Sequence, residues 1–253
     1  VTKVRADVLL VTRGLFESRA KAQAAIAAGG VRADGAPVAR ASQMFDEAAE
    51  IEAAPAHRWV GRGALKLDHA LDLWPVTVKG RVVLDVGAST GGFAEVCLAR
   101  GAARVYAVDV GHGQLHPSLA VDPRIFNLSA TDARTLTTVQ ISEPPSLIVC
   151  DVSFIGLAKA LPAALALAAP GADLVCLVKP QFEVGPAGLG KGGVVRDPSA
   201  RQAAVEAVAA WLETQGWPVR CTAESPIRGG EGAVEHLLWA RKGLAPTRKS
   251  LPP

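Results

Sequence analysis

The stretch VLDVGASTGGF, residues 83–93, decides the fold. An apolar run ends in an acid, Asp85, and the glycines Gly87, Gly91 and Gly92 follow. Such a pattern reads as a buried strand that turns into a helix. Its glycines permit left-handed backbone and close approach to a ligand, and the helix start offers N–H donors. Ser89 stands where a GxGxxG fingerprint carries its second glycine, which counts against an NAD site. The next apolar run, RVYAVDVG (104–111), holds Asp109. An acid roughly 20 residues beyond a glycine loop suits a ribose diol.

Working outward, RVVLDVG (81–87), RVYAVDVG (104–111), RIFNL (124–128), SLIVCDV (146–152) and DLVCLVK (173–179) read as strands. Their continuous apolar character points to burial on both faces, as in a parallel sheet. Helices are expected over 92–100, 155–169 and 198–215, the last opening on Pro198. WPVRCTAES (217–225) and VEHLLWARK (234–242) leave no room for a helix between them, so they should pair antiparallel. The fold class expected is α/β: a doubly wound, mainly parallel, seven-stranded sheet with one reversed strand.

The first part of the chain differs. Residues 1–43 hold seven Lys/Arg against three acids, and 46–52 hold four acids and no base. Helical spacing over 6–12 stops at Gly14. Ser18 caps a second helix that runs to Ala28, and Asp34-Gly35 marks a tight β-turn. We expect a small α+β domain over 1–56, a linker over 57–63 within the small-residue stretch AAPAHRWVGRG, a second domain over 64–243, and a disordered, proline-rich tail over 244–253.

Composition excludes several classes. Of 253 residues, 49% are hydrophobic and 20% charged, which is globular. The four cysteines lie far apart with no CxxC, so neither zinc nor a disulfide framework is expected. The N-terminus does not read as a signal peptide. The most apolar stretch, 155–178, is broken by Lys159, Pro162, Pro170, Gly171 and Asp173, so no membrane span is expected. These features suit a reducing cytoplasm. Two motifs mislead. Gly87 to Gly91 matches G-x-S-x-G, but His236 sits inside a strand rather than on a late loop. GPAGLGK (185–191) resembles a phosphate loop but lacks the following Ser/Thr and helix, and reads as a mobile glycine-rich loop.

Four charged residues lie at strand ends or beside them: Lys66 in GRGALKL, Asp151 in CDVSF, Lys179 in VKPQF and Glu235 in VEHLL. In open α/β sheets the carboxyl ends of strands line the ligand crevice. A desolvated lysine beside another cation can accept a proton at neutral pH, and two carboxylates would hold such a pair in place.

RADVLLVTRGLFESRAKAQAAIAAGGVRADG resembles an S4-like RNA-binding domain. GRGALKL, DVGASTGGF, VDVG, CDVSF, VKPQFEVG and SPIRGGEGAVEHL, in that order, resemble an FtsJ-type methyltransferase. Together, over about residues 3–242, they resemble the TlyA family of ribosomal RNA 2′-O-methyltransferases, some of which carry a hemolysin label. The resemblance implies a Rossmann-like fold, S-adenosylmethionine (SAM) as donor and a ribose 2′-hydroxyl of ribosomal RNA as acceptor (cytidines of the small or large subunit); the residue set itself requires no metal. It implies a catalytic tetrad of Lys66, Asp151, Lys179 and Glu235. SAM would meet Asp85, Gly87, Ser89, Thr90, Gly91, Gly92 and Phe93, with Asp109 at the ribose, Asp132 near the adenine, and Asp151 at the reacting end. Arg5, Arg19, Lys21 and Arg32 would contact RNA, and a monomer acting on ribosomal subunits is expected. Two departures stand out: Ala233 replaces the family's usual Asn two residues before the tetrad glutamate, and the linker reads His57-Arg58-Trp59-Val60. Rival readings are a membrane-active protein, as the hemolysin label implies, and an RNA-binding module without catalysis.

Overall fold

The computed structural model describes residues 3–185, 188–190 and 192–244. The tail beyond Leu244, and Pro186, Ala187 and Lys191 of the glycine-rich loop, lie outside the described residues. The chain divides into two compact units, Val1–Arg58 and Trp59–Pro253.

The first unit holds β1 (Lys3–Arg5), α1 (Ala6–Thr12), α2 (Arg19–Ala27), β2 (Val31–Ala33), β3 (Ala36–Pro37), β4 (Met44–Asp46) and β5 (Ile51–Ala53). Ser18 caps α2 by accepting from the Lys21 N–H. Asp34 and Gly35 both take positive φ, +48° and +75°, the geometry that joins β2 to β3 in a tight hairpin. Leu10, Ala22, Ala25, Ile26 and Val31 pack into one small core. The β1 strand was not foreseen: KVR has no apolar alternation, and only pairing with Met44–Asp46 makes it a strand.

The second unit opens with α3 (Ala64–Leu73), followed by β6 (Val82–Val86), α4 (Gly92–Ala99), β7 (Arg104–Val108), α5 (Pro117–Ala120), β8 (Ile125–Leu128) and β9 (Leu147–Cys150). Then come α6 (Leu157–Ala160), α7 (Pro162–Leu167), β10 (Asp173–Val178), α8 (Pro180–Glu183), α9 (Pro198–Thr214), β11 (Val219–Glu224) and β12 (His236–Arg241). The sheet has seven strands in the order β11-β12-β10-β9-β6-β7-β8, and β12 runs antiparallel to both its neighbours. This is the mixed, mostly parallel sheet that the apolar runs predict. A hydrophobic core fills each face, one around Leu84, Ile148 and Leu174, the other around Leu67, Val83 and Val149.

Two expectations need correction. The single helix over 155–169 is two short ones, because Pro162 has no N–H to continue the ladder. Lys66 lies on a helix, α3, that was not foreseen; the helix buries Ala64, Leu67, Ala70 and Leu71 as one stripe against the sheet. Chain order reverses across the sheet between β6 and β9, which is where open α/β sheets form their ligand crevice.

Candidate active site

Strand register brings distant residues together. Val86 pairs with Cys150 and Cys150 with Cys176, so Gly87 and Asp151 leave adjacent strands side by side. The Asp151 N–H donates to the Val86 carbonyl at 3.0 Å. Val178 pairs with His236 across an antiparallel ladder, which sets Lys179 beside Glu235. Glu235 therefore lies one residue before β12, not on it as expected, and its side chain is buried.

The four charges form one cluster. Lys66 Nζ donates to Glu235 Oε2 at 2.5 Å and lies 3.8 Å from Asp151 Oδ2. Lys179 Nζ lies 2.6 Å from Asp151 Oδ1, close enough for an ion pair though not aligned as a hydrogen bond, and donates to Ser153 Oγ at 2.8 Å. Lys66, Lys179 and Glu235 are buried. Two cations against two carboxylates leave no uncompensated charge, the condition under which such a cluster survives burial. Asp151 is the hinge, since each of its oxygens faces a different lysine.

Two cavities meet here. The larger, about 930 Å³, runs from Asp109, Thr131 and Asp132 to Asp151 and Phe154. The smaller, about 220 Å³, is walled by Arg62, Thr90, Phe93, Asp151 and Lys179. Gly87, Ser89, Asp151 and Ser153 belong to both. The larger has the size of a nucleotide-type pocket. Asp109 accepts from the Ser89 N–H at 2.8 Å and the Gly111 N–H at 2.7 Å. These two bonds fix its carboxylate at the cavity wall and leave further lone pairs for a diol. Ser89 adopts φ +48°, so it takes the left-handed backbone that a glycine would take at that position. Arg134 grips Asp132 by two nitrogens and holds its carboxyl below the usual range, so it stays an ionised acceptor. A Cβ on Gly87 would stand 2.6 Å from the Asp151 carbonyl, so only glycine fits where the two strands' ends touch. This set of a rigid diol acceptor, a glycine turn and an ionised acid fits SAM.

Asp85 and Gly91, expected on the cofactor loop, line neither cavity. Asp85 is fully buried, and neither carboxyl oxygen has a well-formed hydrogen bond; a weak contact from the Ala94 backbone is all that favours its charged form. Burial, with the Asp151 charge second, pushes its carboxyl up to about 8. Gly91, at φ +95°, makes the entry to α4, and a Cβ there would run into Leu119 and Leu115. Thr90, Gly92 and Phe93 line the smaller cavity rather than the larger.

In the first unit, Arg5 and Arg19 converge on the buried carboxylate of Asp7. Lys21 pairs with Glu17 at 2.6 Å, and Arg32 approaches Glu52 at 4.0 Å. The basic residues are thus partly neutralised by local acids, which the count of charges did not reveal.

Phe154 was missed. It is 91% exposed at the cavity rim, has φ +66°, and its ring lies 5.3 Å from Phe182. A bulky aromatic residue is strained in left-handed backbone, and here that strain sits at the cavity rim. The only sequence signal was an aromatic three residues beyond the strand-end Asp151.

Comparison with known proteins agrees with this geometry. Residues 59–242 match the model of the FtsJ-like methyltransferases, and residues 4–51 match the S4 domain. The 16S/23S rRNA (cytidine-2′-O)-methyltransferase TlyA of Mycobacterium tuberculosis is 48% identical over 241 residues, 94% of this chain and 90% of its own. The chain belongs to the TlyA family of FtsJ-like methyltransferases. As a member of this family it is a SAM-dependent methyltransferase. Hemolysin A of Brachyspira hyodysenteriae is 34% identical, covering 92% of this chain and 98% of that one. A solved hemolysin-labelled structure from Streptococcus thermophilus has a TM-score of 0.76 and 38% identity, covering 95% of this chain and 89% of that one. A SAM-dependent methyltransferase from Listeria monocytogenes, 14% identical with a TM-score of 0.52, shares the fold over 72% of this TlyA-family chain and 99% of its own. Among the described residues, no helix is long and apolar enough to cross a membrane.

Proposed function

We propose that this protein methylates the ribose 2′-oxygen of cytidine in ribosomal RNA, in the small or large subunit or both. The observation that carries this reading is the Lys66–Asp151–Lys179–Glu235 cluster at the junction of a nucleotide-sized cavity and a smaller one. The relative from M. tuberculosis is named for this reaction on 16S and 23S RNA.

SAM supplies a methyl group on a positively charged sulfonium, with Asp109 at its ribose and Asp132 at its adenine. A ribose hydroxyl is a weak acid, so its proton must leave as the methyl arrives. Lys179, facing the smaller cavity, first gives up its own proton to solvent and then, as the neutral amine, receives that of the hydroxyl. Lys66 steadies the developing oxyanion. Asp151 orients both lysines and Glu235 locks Lys66 in place. Alignment of donor and acceptor supplies much of the acceleration, since positioning alone is worth roughly 7–11 kcal/mol. Phe154 offers an exposed ring for an unstacked base, the usual way single nucleotides of RNA are held.

Residues 1–56 serve as the RNA handle, 57–63 as the linker and 64–243 as the catalytic domain. Arg5, Arg19, Lys21 and Arg32 supply phosphate contacts, which give affinity more than sequence choice. The enzyme works as a monomer on ribosomal subunits in the cytoplasm.

The test is methyl transfer from labelled SAM to each ribosomal subunit lacking the modification, mapped by primer extension at limiting nucleotide. Label at a cytidine ribose, lost in Lys179→Ala, is the expected result. No label on either subunit, with SAM bound, would overturn the reading in favour of an RNA-binding module.

A further inference from the structure

The segment Gly61-Arg62-Gly63 crosses the rim of the smaller cavity. A Cβ on Gly61 would stand 2.7 Å from Thr90 Oγ1, and one on Gly63 would stand 3.5 Å from Asp151 Oδ2. The backbone therefore spans from the glycine-turn hydroxyl to the catalytic carboxylate, and it lies flat because both flanking residues lack a side chain. Arg62, between them, is the one side chain this segment projects, and it lines the cavity together with Lys179. Arg62 is exposed, and among the described residues it has no carboxylate partner. Several other arginines of this unit are tied to acids, among them Arg81 to Asp173, Arg100 to Asp68, Arg104 to Glu143 and Arg134 to Asp132; what sets Arg62 apart is its place on the cavity wall. An unpaired guanidinium beside a charge-balanced cluster gives the acceptor cavity a net positive rim, and so a place for an anion.

We propose that Arg62 is the anchor for the RNA phosphodiester on the 3′ side of the acceptor ribose. This rests on the ribose-methylation reading above. The chemistry of RNA carries the choice of phosphate: the 2′-oxygen and the 3′-phosphate sit on neighbouring carbons of one sugar. A 2′-oxygen presented to Lys179 brings that phosphate to the rim of the same cavity. A planar guanidinium matches two phosphate oxygens at once, which fixes the sugar's rotation as well as its position. Arg62 is in this sense a positioning residue that decides which ribose oxygen faces the methyl donor.

The experiment uses the full-length protein, as wild type, Arg62→Ala and Arg62→Lys. Equilibrium binding to unmethylated ribosomal subunits is measured from 50 to 300 mM KCl, with SAM affinity by calorimetry and methylation rates alongside. Removing one phosphate contact should flatten the slope of log affinity against log salt by about 0.7 to 1. Arg62→Ala should show that loss with SAM affinity unchanged. Arg62→Lys should restore the slope but not the full methylation rate, because an ammonium supplies charge without the bidentate fork. A salt slope equal to wild type in Arg62→Ala would overturn the proposal, whatever happens to the rate. The binding arm needs no turnover, so wild type that binds with the expected Arg62 dependence but never methylates would sink the methylation reading alone.

Discussion

Gly229 lies flat against the carboxylate of Glu235: a Cβ built on it would overlap Oε1 and stand 2.7 Å from Cδ. The other oxygen of Glu235 holds Lys66. Glu235 is thus clamped between a lysine and a bare stretch of backbone. The loop that provides this backing is closed by the Gly229 N–H donating to the Ala233 carbonyl at 2.9 Å. Ala233, which replaces the family's usual Asn, is buried and serves the loop through its main chain. Gly229→Ala should push Glu235 off Lys66 and loosen the cluster. A misplacement of that kind costs about 100-fold in turnover. Methylation kinetics on ribosomal subunits should show the loss in kcat, with SAM affinity kept.

Lys179→Ala removes the group nearest Asp151 and Ser153 without touching the walls around Asp109. Turnover should fall by about 10²- to 10⁴-fold, the usual range for a positioned proton-transfer group. SAM binding by calorimetry should remain within a few-fold of wild type. Retained turnover would remove Lys179 from the reaction.

Asp85 makes stability depend on pH. Its carboxyl is pushed up to about 8, first by burial and then by the Asp151 charge, whereas an unfolded aspartate titrates near 4. Between those values the folded state holds one proton more than the unfolded state. Its contribution is fully present below about pH 4 and declines as pH rises, by about 1.4 kcal/mol per pH unit, until about pH 8. Asp85→Asn keeps the shape and cannot ionise. Thermal melts of the two proteins at pH 5, 7 and 9 should show the variant gaining on wild type as pH rises. Parallel curves would mean that Asp85 is already ionised at neutral pH.

Asp7 organises the first unit. Its buried carboxylate accepts from Arg5 through two nitrogens, from Arg19 at 2.8 Å and from Gln23 at 2.7 Å. Arg5 first, then Arg19 and Gln23, hold it well below the usual carboxylate range. Its stabilisation is present above about pH 4 and is lost as pH falls through the lowered value. Asp7→Ala should release both guanidiniums and weaken binding to ribosomal subunits by roughly tenfold, the size of one lost charge-assisted bond. Circular dichroism checks that the unit stays folded. Unchanged affinity would show that Arg5 and Arg19 are not held in place for RNA.

Much of the sheet was legible because it depends on local pattern. LIVC and DLVCLV are apolar on both faces, and a strand buried on both faces must sit inside a sheet. Ser18, Pro198 and Asp34-Gly35 announced their helix starts and turn through backbone chemistry that neighbouring residues already settle. The split at Pro162 was legible too, had the missing N–H been weighed against the apolar run.

The site was only half visible. The residue types and their places near strand ends pointed to Lys66, Asp151, Lys179 and Glu235, but their mutual contacts did not. Lys66 and Glu235 are separated by 169 positions and meet because β12 runs back against β10 while α3 packs on the same sheet. Left-handed backbone at Phe154, the bare face of Gly229 and the full burial of Asp85 likewise have no local signature. Apolar periodicity and turn chemistry, which act over a few residues, let the amino-acid order alone determine the strands of the large sheet and the capped helices, but not α3, β1 or the split of α6 from α7. Burial, charge pairing and close approach act between segments far apart in the chain, so the tertiary structure alone decided which charges are paired, which acid is taken out of water and which arginines are left open.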